Sequence, residues 1–222
     1  EMYGDGGAEA VTGQALAGFE ELASQDRETS HLQSIAFAYR GLIARIQGDF
    51  ALAAAMLAEA EQRQRHLNFW WGLCETLCAL GDLMLDRGDP DRATSHFRES
   101  LGLALAHDQQ RRLAEAIDGL ARAAVVQGEP ARAARLFGAA HGVRQQAGAA
   151  VKGWDRAANG AAIAAVRAAL PADTFAAEFA AGQAAPRAVA TVEAQAITGA
   201  DSFATSGSTQ AGLAITAGLT PR

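Results

Sequence analysis

The chain has 222 residues, half of them apolar but only 6% aromatic, with a formal charge of −6 and a single lysine, Lys152. That balance excludes a surface that wraps nucleic acid, because affinity for phosphates is supplied mostly by lysine and arginine. Abundant alanine with few aromatics points to helices packed through small side chains rather than to a β-sandwich.

In chain order, 9–25 ("EAVTGQALAGFEELASQ") reads as the second helix of an earlier unit, so 1–30 is assigned to the end of a partial repeat. Because the first residue is Glu1 rather than Met, the chain is expected to be an excerpt of a longer one. A repeat then dominates. Gly48, Gly88 and Gly128 stand forty residues apart, and other positions move with them. Five residues after each glycine is Ala53, Ala93 or Ala133; nine after is Leu57, Phe97 or Phe137; twelve after is Ala60, Ser100 or Ala140. Seven before is Gly41, Gly81 or Ala121, and eleven before is Phe37, Leu77 or Ile117.

Small residues at three of these positions let two antiparallel helices approach, and large ones fill the space between them. The glycines suit a left-handed residue that ends the first helix. Asp89 and Pro90 suit the N-cap and first position of the second, with Glu129 and Pro130 a poorer copy. The pattern resembles the tetratricopeptide class of helical hairpins, so 31–150 is read as three such repeats. Units longer than the ~34 residues of that class imply longer helices or longer turns, with 107–110 ("HDQQ") as one turn. The fold class expected is all-α, a tetratricopeptide-like solenoid.

Beyond Gly148 the rhythm changes. Residues 151–170, 172–183 and 185–196 read as short helices that cap the stack over 151–196, with Trp154, Phe175 and Phe179 in the cap core. Residues 197–217 have the Gly/Ser/Thr composition of a flexible linker. At 218–222 the chain reads as a helix start, with Thr220 as N-cap and Pro221 at the first position.

Two stretches, 119–151 and 174–194, resemble the final repeats and cap of large bacterial regulators of the LuxR type, in the signal-transduction ATPase class. Leu219, Thr220, Pro221 and Arg222 match the opening of the LuxR-type helix-turn-helix domain. The resemblance implies a cytoplasmic sensor or protein-interaction segment that couples effector binding to DNA through a domain beyond Arg222. It implies Glu as the next residue, which would complete a capping box with Thr220. ATP belongs, on this reading, to an upstream domain of the parent protein, since no G-x-x-x-x-G-K-[ST] loop is present. The alternative is a protein-binding scaffold attached to a cyclase, kinase or ATPase, with no DNA-binding role.

Catalytic, cofactor and metal residues are assigned as none. His31, His66, His96, His107 and His141 are scattered, and Cys74 and Cys78 at i and i+4 read as small core residues rather than half a zinc site. No apolar run reaches the ~18 residues that would span a bilayer, so no membrane partner is expected. By analogy with the repeat class, the concave face would take a protein or small-molecule effector. The positions six before each glycine (Leu42, Asp82, Arg122) and ten before (Ala38, Cys78, Asp118) would face it. Phe69, Trp70 and Trp71 are consecutive and cannot share one helix face, so at least one is partly exposed or at a turn. Core packing is the first reading of this cluster and a partner hot spot the second.

Overall fold

The structure, a computed structural model, describes residues 27–151 and 153–193. Every regular element among them is helical: α1 (Arg27–Ile46), α2 (Phe50–His66), α3 (Trp70–Asp86), α4 (Pro90–Ala106), α5 (Gln110–Val126), α6 (Pro130–Ala147), α7 (Gly153–Ala169), α8 (Ala172–Ala184) and α9 (186–193). The segments read as an earlier helix at 9–25, a linker at 197–217 and a helix start at 218–222 lie outside the described residues, as does the side chain of Trp154.

The forty-residue unit is two equal halves. Each helix from α2 to α5 has 17 residues, and three residues join it to the next. Two such helices and two such turns account for the forty-residue spacing of the glycines. At the middle of the five turns φ is positive: Gly48 (82°), Asn68 (53°), Gly88 (74°), Asp108 (52°) and Gly128 (75°). Glycine adopts this conformation freely, and asparagine and aspartate tolerate it better than other side chains do.

Each left-handed residue lets the following N–H reach back to a carbonyl five residues earlier. The bonds are Asp49 to Ala44, Phe69 to Gln64, Asp89 to Met84, Gln109 to Ala104 and Glu129 to Ala124, at 2.8–2.9 Å. This is the Schellman arrangement, which satisfies a carbonyl at the helix end. The carbonyl of that same residue then accepts the first bond of the next helix, from Ala53, Leu73, Ala93, Leu113 and Ala133 respectively. One residue thus closes a helix and opens its successor. Two of them also cap by side chain: Asp49 accepts from the Leu52 N–H and Asp89 from the Arg92 N–H, whereas Glu129 makes no such bond.

The repeated small and large positions are all buried. Leu57, Phe97 and Phe137 are 0%, 0% and 3% exposed, and the alanines five after each glycine are all at 0%. A Cβ on Gly41 would stand 2.7 Å from Leu57 Cγ, and one on Gly81 would stand 2.5 Å from the Phe97 ring. The small residue therefore makes the seat for the large one in the same hairpin. Gly119 receives the other side of Phe97, where a Cβ would lie 2.2 Å from the ring, so this ring also joins the second hairpin to the third. Burying such a ring contributes roughly 1.5–3 kcal/mol.

Successive helices pack on one another, and the first helices α1, α3 and α5 also touch in a row that α7 extends. The twenty-residue rhythm stops at Gly148 (φ 61°), since α7 opens at Gly153 instead of 150. Helix α8 covers α6 backbone to backbone: a Cβ on Gly138 would be 2.0 Å from the Phe179 carbonyl oxygen, and one on Gly182 would be 1.9 Å from that of Arg135. Phe175 is 7% exposed and belongs to the main core, with Phe179 packed against it.

Because backbone cannot move aside as a side-chain tip can, Gly138→Ala is expected to lower stability by more than about 2 kcal/mol. Gly102, inside α4 with nothing within 4 Å of an added Cβ, is expected to give the opposite sign as Gly102→Ala, a gain of about 0.5–1 kcal/mol. Urea midpoints of the two variants check both.

Candidate functional site

On the row of first helices, residues one repeat apart face one another across each seam. Asp82 of α3 and Arg122 of α5 both stand six before their turn glycines, and Arg122 Nη2 donates to Asp82 Oδ1 at 2.5 Å. Leu42 holds the equivalent place in α1, so no second pair of this kind forms there. Arg45, one turn further on, reaches across instead, with Nη1 3.0 Å from Asp86 Oδ2 and Nη2 3.7 Å from Asp82 Oδ2.

The line continues into the cap. Arg122 Nη1 donates to Asn159 Oδ1 of α7 at 2.5 Å, and Asn159 Nδ2 donates to Asp118 Oδ2 at 2.6 Å. The Arg144 guanidinium of α6 closes it on the Asp118 carboxylate. A ladder of Arg45, Asp82, Arg122, Asn159, Asp118 and Arg144 therefore crosses all three hairpins and the first cap helix. Asp118 is 2% exposed, Asn159 5% and Asp82 8%. Charges this deep persist only when paired and hydrogen-bonded. Burial alone would lower the Arg122 pKa; the Asp82 and Asp118 carboxylates outweigh it and hold the guanidinium above the usual arginine range.

A cleft of about 230 Å³ opens over this ladder, with Arg45, Asp82 and Arg122 on its polar side and Leu85, Val125 and Val126 on its apolar side. Val126 is 56% exposed at its rim. The cleft sets fixed charge beside exposed apolar surface.

The residues expected on the concave face divide. Asp82 and Arg122 meet directly at the cleft, and Asp118 joins them through Asn159. Leu42 and Ala38 line a separate small cavity between α1 and α3, with Tyr39 and Thr76. Cys78 turns into the seam with α4, its Sγ 3.3 Å from Ser100 Oγ. Cys74 lies beside it, its thiol 3.8 Å from the Ser100 carbonyl, while Ser100 Oγ donates to the Cys74 carbonyl at 2.9 Å. Burial pushes the Cys74 thiol up to about 11, and that of Cys78 further in the same direction. Both are neutral core groups at pH 7. Among the described residues no group of three or more His, Cys, Asp or Glu side chains could hold a metal ion, and no helix is long and apolar enough to cross a membrane.

Arg45, Asn159 and Arg144 are the ladder members that sequence reasoning missed. Arg45 and Asn159 are out of phase with the six-before position, and Arg144 comes from a second helix. Asn159 did carry a signal: a lone amide within the alanine run of α7. The aromatic cluster is spread as its spacing requires. Phe69 is the residue preceding α3, Trp70 stacks on His107 at 4.0 Å, and Trp71 is 41% exposed under the Arg112 guanidinium at 4.4 Å. Glu75 and Glu115 pair with that guanidinium at 3.0 and 2.7 Å.

No known protein family matches the chain, and no curated protein matches it. Among solved structures the chain is similar to the crystal structure of BtubC (BKLC) from P. vanneervenii, at 15% sequence identity over 99% of both chains, with a TM-score of 0.48.

Two outcomes follow from the site. Arg122→Met removes the cation between two buried carboxylates and is expected to cost about 3–5 kcal/mol, whereas an apolar pair at both positions relieves much of that loss. Adding Asp82→Leu to it should therefore recover stability, and a double-mutant cycle in urea should give a coupling above about 1 kcal/mol. The thiols give a pH dependence. Unfolded thiols ionise near the usual value of 9.0, but Cys74 in the folded chain only near about 11. Their contribution to stability is thus complete below pH 9 and lost as pH rises toward 11, by up to about 1.4 kcal/mol per pH unit for each thiol. Urea midpoints across this window should fall less steeply after Cys74→Ala with Cys78→Ala.

Proposed function

We propose that this chain is the effector- or protein-binding segment of a LuxR-type transcriptional regulator. It is a tetratricopeptide-like solenoid whose concave side is the row α1, α3, α5 and α7. The observation that carries the binding role is the cleft over the Asp82–Arg122 pair, which joins exposed apolar surface to buried, fixed charge. The shape of the row supports it: first helices touch one another across each seam, which makes theirs the tighter side of a curve.

In this reading the segment is not an enzyme. It acts in the cytoplasm, and it reaches DNA only through a helix-turn-helix domain after Arg222. The "LTPR" match at 219–222 supports that assignment by resemblance. An effector seated over the ladder meets residues of α3 and α5, and through Arg122 and Asn159 also those of α7. Binding there therefore favours one arrangement of the last two hairpins and the cap, which is the differential contact that coupling between two sites requires.

The test uses the parent protein. Its coding sequence should read Glu after Arg222 and continue into a helix-turn-helix. Val126→Arg, at the exposed rim, should change stability by less than about 0.5 kcal/mol yet shift the effector dependence of DNA affinity at least tenfold in a mobility-shift titration. A parent without a DNA-reading domain would instead establish the scaffold reading. An unchanged effector response in the variant would remove the cleft from the account.

A further inference from the structure

Helix α9 departs from the direction in which the rest of the chain grows. Its buried face is Pro186 and Ala190, the latter 0% exposed, with Val189 and Glu193 half-buried on the same side. Arg187, Thr191 and Val192 face solvent. The spacing i, i+3, i+4, i+7 is that of a narrow amphipathic helix.

Ion pairs pin it at both ends. Arg187 Nη1 is 2.7 Å from Asp108 Oδ1, in the turn after α4. Glu193 accepts from Arg132 Nε at 2.9 Å and from Arg132 Nη2 at 2.6 Å, in α6, and lies 3.6 Å from Arg98 Nη2 of α4. Since 187 meets 108 and 193 meets 98, α9 runs opposite to α4, back along the second helices. The chain thus passes the end of the array at α8 and returns along its outer flank.

This hold is weak compared with that on α8. Helix α8 meets α6 through glycine backbone, but α9 is seated by one fully buried methyl group, the Pro186 ring and part of Val189. The Arg187–Asp108 pair is exposed, contributes little and is screened by salt, and the part-buried Glu193 pairs hold only the last residue of the helix. Eight residues are also too few to stay helical alone, so undocking and unfolding of α9 are one event. Elements held in this way open well before the global transition.

We propose that α9 is a releasable strap. Docked, it covers the flank of α4 and α6 beside Arg98 and Arg132. Released, it uncovers that flank, whatever the row of first helices binds, so the strap stands apart from the function proposed above.

Native-state hydrogen exchange on the whole chain at neutral pH tests this. The amides of 189–193, which begin with the Val189 N–H bonded to the Ala185 carbonyl at 3.1 Å, should exchange at least tenfold faster than the central amides of α4 and α6. Raising salt to about 0.5 M, where screening acts within about 4 Å, should speed them several-fold while α4 and α6 stay unchanged. Ala190→Glu should bring them to the rate of an unstructured peptide with α4 and α6 still protected. Glu193→Gln, which keeps the size of the side chain, should speed them several-fold at low salt and reduce the salt effect to the share of the Arg187–Asp108 pair. Exchange of α9 at the rate of α6, or loss of α4 and α6 protection together with α9 in either variant, would overturn the proposal.

Discussion

A three-residue turn between two long helices leaves almost no choice in how they pair. Its first residue ends one helix, its second takes a left-handed φ, and its third both returns a hydrogen bond to the helix just finished and starts the next. Because the third residue serves both helices, the register of each is inherited from the one before it. Five consecutive turns obey this rule, at 48, 68, 88, 108 and 128. The forty-residue period is a consequence of the twenty-residue one.

Inherited register is what puts Asp82 opposite Arg122 and Gly81 under Phe97. A turn one residue longer would rotate the following helix by about 100° and scatter these partners. The buried ladder therefore does more to specify the stack than to stabilise it. Removing its charges in pairs is tolerable, but any other arrangement of the hairpins leaves Asp118 or Arg122 buried alone. The end of the stack obeys the same requirement: Asn159 of the cap and Arg144 of α6 complete the ladder where a fourth hairpin would have continued it.

Much of this was legible in the residues. Glycines forty apart, with small and large positions in step, identify the hairpins, the seats for Leu57 and Phe97, and the change after Gly148. The intermediate turns were harder to see, because Asn68 and Asp108 take the left-handed role without being glycine. The even halves of the repeat, and with them the reason for its length, stayed hidden. At the site, period-forty reasoning found Asp82 and Arg122 as equivalents, but not that they bond to each other. It placed Cys78 and Asp118 on the concave face but did not show that Cys78 meets Ser100 or that Asp118 is nearly inaccessible. A side chain ten before the glycine points to the seam or to the cleft according to a rotation of a fraction of a turn, which composition does not encode.

The most direct measurement of the shared-turn constraint is the backbone conformation at Asn68 and Asp108 in solution, from chemical shifts and residual dipolar couplings of the isotope-labelled chain. The account predicts a left-handed φ at both, matching Gly48, Gly88 and Gly128, with uninterrupted helical values in between. A right-handed or extended φ at either residue would contradict it. The turns between hairpins would then differ from those within them, and the row that carries the ladder would lose its common register.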